Sequence, residues 1–130
     1  MDRVTENRMC LFESHIGDDE YELMPEWFKD NLPPLFTNPD AADNPLVWGK
    51  FFDPEGSQVW YVVEYDGDQT FFGYVTEDGN IHNGAYRYFT LEEITRFNEG
   101  YQDNVLPVER DNWFNPTHIH NLEREDSGLA

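Results

Sequence analysis

Two runs rich in β-branched and aromatic residues, VWYVVEY (59–65) and QTFFGYVT (69–76), flank the pair Asp66-Gly67. Such residues suit a pleated, half-buried strand. Asp-Gly between two such runs is a strong hairpin signal, because glycine readily takes the positive φ that a tight reversal requires. This stretch therefore commits the chain to an antiparallel sheet. Both faces of 59–63 are apolar, which predicts a central strand covered on both sides. Strict alternation puts Glu64 on the face of Trp60 and Val62, where it calls for one of the chain's 8 basic residues as partner. Asp66 and Asp68 then stand outward at the tip, and Gly73 marks a bulge or a close crossing of the backbone.

The remaining elements follow from local signals. YELMPEWFKDN (21–31) places Leu23, Trp27 and Phe28 at helical spacing, with Pro25 in the first turn, and Pro33-Pro34 stops the helix. TNPDAADNP (37–45) reads as a loop leading into the strand LVWGKFF (46–52), and Asp53-Pro54-Glu55-Gly56 reverses the chain. GAYRYFT (84–90) is a further strand. Thr90-Leu91-Glu92-Glu93 is a capping box opening a helix whose stripe is Leu91, Ile94 and Phe97, with Gly100 as its end. VLPVERDNWFNP (105–116) reads as an extended edge segment. The expected class is α+β, an antiparallel β-meander of about four to five strands with two short helices packed on one face. Residues 1–20 read as an acidic, partly ordered N-terminal extension, 21–119 as a single domain and 120–130 as a flexible polar tail.

A chain of 130 residues supports one core, and 10 Phe, 7 Tyr and 4 Trp supply the area to bury. Its 27 acids against 8 bases give a formal charge of −19. That charge is distributed: 11 acids and 3 bases in 1–44, 7 and 2 in 45–90, 9 and 3 in 91–130. With no cluster of Lys and Arg to displace counterions, direct binding to nucleic acid is not expected, and an anionic membrane would be repelled. The absence of a bilayer-length apolar run and of a signal-peptide layout predicts a cytoplasmic protein. The single cysteine, Cys10, excludes an internal disulfide framework and a multi-cysteine zinc site.

LPPLF (32–36), KFFDP (50–54), WYVVEYDGD (60–68), FFGYV (71–75), YFTLEEI (88–94) and VERDNWFNP (108–116) occur in one order and spacing. Together they resemble the bacterial domain of unknown function 2958 family, over about residues 32–116. The resemblance implies a small protein carried by plasmids, integrative elements or phages, often near anti-restriction or DNA-transfer genes, and implies no catalytic residues. The chain departs from the family pattern in its longer acidic segment 1–31 and in Thr37-Asn38-Pro39, which replaces an acidic continuation.

No phosphate loop, nucleophile elbow or His-Glu-x-x-His helix is present, so no catalytic residue, metal ligand or cofactor is assigned. His118-Ile119-His120 would put two imidazoles on one side of a strand, within reach of Glu109 or Asp111 for a metal, though the pair follows Pro116 near the chain end. Glu109-Arg110-Asp111 reads first as a structural charge cluster. Joined by Glu64, Arg110 and Asp111 form the alternative reading, a small metal-dependent or ligand-binding enzyme. The leading expectation is a non-enzymatic acidic module that mimics nucleic-acid charge and occupies a basic surface of a host nucleic-acid-binding protein. Asp18, Asp19, Glu20, Glu22, Asp66 and Asp68 are its expected contact residues.

Overall fold

A computed structural model of the chain describes residues 23–37, 43–97 and 107–126. Helix α1, Glu26–Asn31, starts after Pro25, whose carbonyl accepts from the amides of Phe28 and Lys29. Strands β1 (Leu46–Val47), β2 (Gly49–Phe52), β3 (Val59–Tyr65), β4 (Thr70–Thr76) and β5 (Ala85–Thr90) follow, with a single 3₁₀ turn, Ile81–Asn83, before β5. Helix α2 (Leu91–Thr95), strands β6 (Glu109–Arg110) and β7 (Thr117–His118) and helix α3 (Ile119–Asp126) complete the described elements.

β2 to β5 form an antiparallel meander, and β6 returns to the outer side of β2, giving the order β5-β4-β3-β2-β6. The fold is thus α+β around an antiparallel sheet, as the sequence predicts. The expected strand 46–52 is broken at Trp48: β1 leaves the large sheet and pairs with β7 in a separate ribbon, while the Trp48 amide is still held by the carbonyl of Val62 at 2.8 Å.

β3 is central and every one of its seven residues is buried. Its first part alternates as expected, with Trp60 and Val62 in one apolar cluster and Val59, Tyr61 and Val63 in the other. The register then slips: Val62 lies opposite Gly73 but Glu64 lies opposite Phe72, leaving Val63 as an extra residue. Beyond this bulge the parity is reversed, so Tyr65 joins Trp60 and Val62 in the first cluster and Glu64 shares the second face with Phe72. The alternation that grouped Glu64 with Trp60 and Val62 is corrected by this inserted residue. Gly73 enables the slip, since a Cβ there would lie 1.9 Å from the Tyr61 carbonyl oxygen.

The first cluster is roofed by α1 through Phe28 and by α2 through Ile94, the two helices foreseen on one face. The capping box is present, with Thr90 Oγ1 accepting from the Glu93 amide at 3.1 Å and Glu93 Oε1 accepting from the Thr90 amide at 2.7 Å. α2 ends at Thr95, short of the expected stop, and Gly100 lies outside the described residues. The second cluster is covered by α3, where the sequence reads as a polar tail. Ile119 is buried and Leu122 packs beside it; these two apolar residues suffice to seat an otherwise charged helix. Among the described residues no helix is long and apolar enough to cross a membrane.

Candidate functional site

The acids expected to meet a partner fall into two groups. Asp18, Asp19, Glu20 and Glu22 lie outside the described residues. Asp66 and Asp68 are exposed in the four-residue loop between β3 and β4, closed by the Asp66 amide on the Thr70 carbonyl at 2.8 Å, with Gly67 at φ 89°. Asp66 is also turned inward: its Oδ1 accepts from the amides of Asp68, Gln69 and Thr70 at 2.8, 2.9 and 3.0 Å. These amides, Thr70 first, hold its carboxyl below the usual aspartate range. The Tyr65 hydroxyl donates to the Asp68 carbonyl, and burial, followed by the charges of Asp66 and Asp68, pushes its pKa up.

Glu64 holds an arm of the chain. Only 3% exposed, its Oε1 accepts from the Phe36 amide at 3.0 Å, while the Tyr65 amide donates to the Pro33 carbonyl at 2.9 Å. These two bonds pin the segment Leu32-Pro33-Pro34-Leu35-Phe36 across the end of β3. Phe36 there has φ 65°, a left-handed conformation costly for a bulky residue. Its ring is nonetheless 78% exposed and stands 6.1 Å from Tyr88, itself 49% exposed. Tyr88 continues through Phe72 and Tyr86 to Tyr74 as a row of ring contacts of 5.0 to 5.8 Å along the second face. Within that row the Tyr86 phenol is pushed up to about 12, by burial first and then by Glu123, Tyr74 and Asp43.

Glu64, Arg110 and Asp111 do not assemble. Arg110 lies opposite Phe51, which lies opposite Trp60, so it sits on the first face and four residues short of the Glu64 row on β3. Glu109, opposite Phe52, points to the face opposite that of Arg110. Arg110 is 5% exposed, with its guanidinium 5.0 Å from the centre of the Trp27 ring, a cation–π contact. Asp111 shapes the following turn: its Oδ1 accepts from the Trp113 amide at 2.9 Å, and its carbonyl from Phe114.

Arg110 and Asp111 share an aromatic cleft with Trp27, Phe28, Trp48 and Phe114. Its volume is about 90 Å³, well under the roughly 300–1,000 Å³ usual for small-molecule sites, and suited to one side chain. Gly49 belongs to its floor, where a Cβ would stand 2.4 Å from the Phe28 ring.

A family model described as "Protein of unknown function (DUF2958)" matches residues 30–122. The chain belongs to that family. Neither the curated proteins nor the solved structures include a match. The span of this DUF2958 chain that matches starts in α1 and runs through β7 into α3, so it takes in the Phe36 arm, the aromatic cleft and half of the helix that the sequence reads as tail.

The histidine pair of the DUF2958 chain is not on one side of a strand. His118 ends β7 and His120 lies in the first turn of α3, and both are used on Asn44: His118 Nδ1 is 3.0 Å from its carbonyl oxygen, and the His120 amide donates to its Oδ1. Among the described residues no three His, Cys, Asp or Glu side chains are grouped to hold a metal ion. The sequence assigns no binding role to Phe36, Tyr88, Trp27 or Trp113, the last 87% exposed. The run Pro33-Pro34-Leu35-Phe36 carried the only available signal, an apolar residue stranded after a helix stop.

Proposed function

We propose that this protein is a non-enzymatic acidic binding module whose partner is a basic, nucleic-acid-handling protein, and that it acts by covering the partner's basic surface. One observation carries the reading: a buried carboxylate, Glu64, holds Phe36 in a strained left-handed conformation that sets its ring in solvent beside Tyr88. Strain kept in a fold to expose an apolar ring suits an interface anchor. Around it lies a chain of formal charge −19, which accelerates encounter with a positive surface and makes it salt-dependent. In the plasmid, integrative-element or phage setting that the family resemblance implies, such a protein serves as an anti-defence inhibitor in the cytoplasm.

The test is capture from a host lysate on the immobilised full chain, at low and high salt. The reading expects a basic nucleic-acid-binding protein that is retained at low salt, released at high salt and lost with Phe36→Ala. Recovery of the same proteins by Phe36→Ala and by the parent chain would remove its main support.

A further inference from the structure

We propose that the open edge of β5 is a docking strand that takes an extended, basic segment of the partner by strand addition. The inference rests on the binding-module reading and locates where its partner engages.

The pairing phase of β5 fixes which backbone groups are free. The Leu91 amide donates to the Gln69 carbonyl at 2.8 Å, and Leu91 and Gln69 continue the β4–β5 register in which Thr70 faces Thr90. Bonded pairs alternate in an antiparallel ladder, so Phe89, Arg87 and Ala85 turn their backbone groups to β4 while Thr90, Tyr88 and Tyr86 turn theirs outward. Thr90 agrees with this phase, because its amide is taken by Glu93 Oε1. Among the described residues no strand lies beyond β5. The N–H and C=O groups of Tyr86 and Tyr88 thus form a short open ladder, closed off at one end by the capping box.

Exposed edges in natural sheets carry charges, prolines or bulges that discourage pairing. AYRYFT carries one charge, Arg87, and no proline. The side chains flanking this ladder indicate what it accepts. On the second face Tyr88 and Phe36 offer exposed rings to an apolar or cationic side chain. On the first face an open groove of about 340 Å³ runs from Val75 to Arg87 and holds Glu77 and Asp78. The Asn83 side chain and the Asn80 amide hold the Asp78 carboxyl below the usual range, so it is charged at neutral pH. Two acids against Arg87 in the groove, on a chain of −19, favour a basic segment over a second copy of this protein.

The probe is a capped hexapeptide of alternating lysine and valine, titrated into the ¹⁵N-labelled full chain, with the glutamate–valine peptide as the opposite-charge arm. The proposal expects the lysine peptide to shift the Tyr86 and Tyr88 amides and slow their hydrogen exchange, and the glutamate peptide to do neither. Tyr88→Pro removes an outward N–H that β4 does not use, and should weaken binding about tenfold. Tyr88→Ala keeps the N–H and should weaken it only a few-fold. Shifts that avoid β5, or equal binding by Tyr88→Pro and Tyr88→Ala, overturn the edge while leaving the binding-module reading intact. Equal binding of both peptides at the edge overturns the basic occupant. A concentration-dependent dimer abolished by Tyr88→Pro overturns it in favour of a second copy. The exchange measurement on the parent chain decides the matter even if the proline variant folds poorly.

Discussion

The carboxylate of Glu64 and the backbone amide of Phe36, 28 positions earlier, are joined by a 3.0 Å hydrogen bond under the surface of the second face. Removing the acceptor leaves an amide unpaired beside a buried space. Glu64→Ala is expected to cost about 1–3 kcal/mol in denaturant unfolding and to speed hydrogen exchange at Phe36. Glu64→Gln retains an acceptor oxygen and should lose less. Unchanged protection of the Phe36 amide in Glu64→Ala would disprove the tether.

Phe36 itself separates stability from binding. At φ 65° and largely exposed, its ring adds little to the core. Phe36→Gly relieves a left-handed strain of about 1–2 kcal/mol, offset in part by the flexibility glycine adds to the unfolded chain. Thermal unfolding should show a melting temperature equal to or above that of the parent, together with weaker partner capture. A clear drop in melting temperature would mean that the ring is a core residue.

Thr76 is fully buried at the end of β4, and its hydroxyl has no hydrogen-bond partner among the described residues. Thr76→Val replaces that hydroxyl by a methyl of similar shape, and should stabilise the fold by about 1 kcal/mol. Chemical denaturation reads the change directly, and destabilisation would point to a water bound at the hydroxyl.

Two glycines predict unequal losses. At Gly49 the obstacle to a Cβ is the edge of the Phe28 ring, which can tilt; at Gly73 it is the Tyr61 carbonyl, which cannot move without breaking the ladder. Gly49→Ala should therefore cost about 1–3 kcal/mol, and Gly73→Ala more, with loss of β3–β4 amide protection. The reverse order would refute the assigned bulge.

Tyr86 gives the alkaline limb of stability. With its pKa raised from 10.0 to about 12, the folded chain holds a proton that the unfolded chain releases, so stability falls as pH rises from about 10 to about 12. Tyr86→Phe should flatten this limb. Asp66 and Asp78 act in the other direction. Their depressed carboxyls contribute above the unfolded aspartate pKa, and that contribution fades as pH falls through the lower folded values. Parallel denaturation curves against pH check both signs.

The sequence discloses what is set by neighbours along the chain. The Thr90–Glu93 box and the positive φ of Gly67 need only a few residues each, and both stand as read. What it hides is set across the sheet. The slip at Val63 depends on Gly73 facing Val62, and no count along β3 alone could place it. Trp48 breaks a continuous apolar run because Val47 finds Thr117 as its partner, 70 positions away. α3 escapes notice because two apolar residues in IHNLERED meet a surface that exists only after folding. The polar cluster Glu109-Arg110-Asp111 is dispersed for the same reason: its members are neighbours in the sequence, and strand alternation sends Glu109 and Arg110 to opposite faces.

The extra residue in β3 makes the pairing register itself an instruction. Pairing Val63 directly with Phe72, with no bulge, would leave the composition of the hairpin untouched, yet it would exchange the stations of its last two residues, sending Glu64 toward Phe51 and Phe71 and Tyr65 out to the aromatic row. The arm that carries Phe36 would lose its mooring without any of its own residues changing. In this hairpin, arithmetic governs chemistry: one residue left out of the pairing decides which side of the sheet receives a charge.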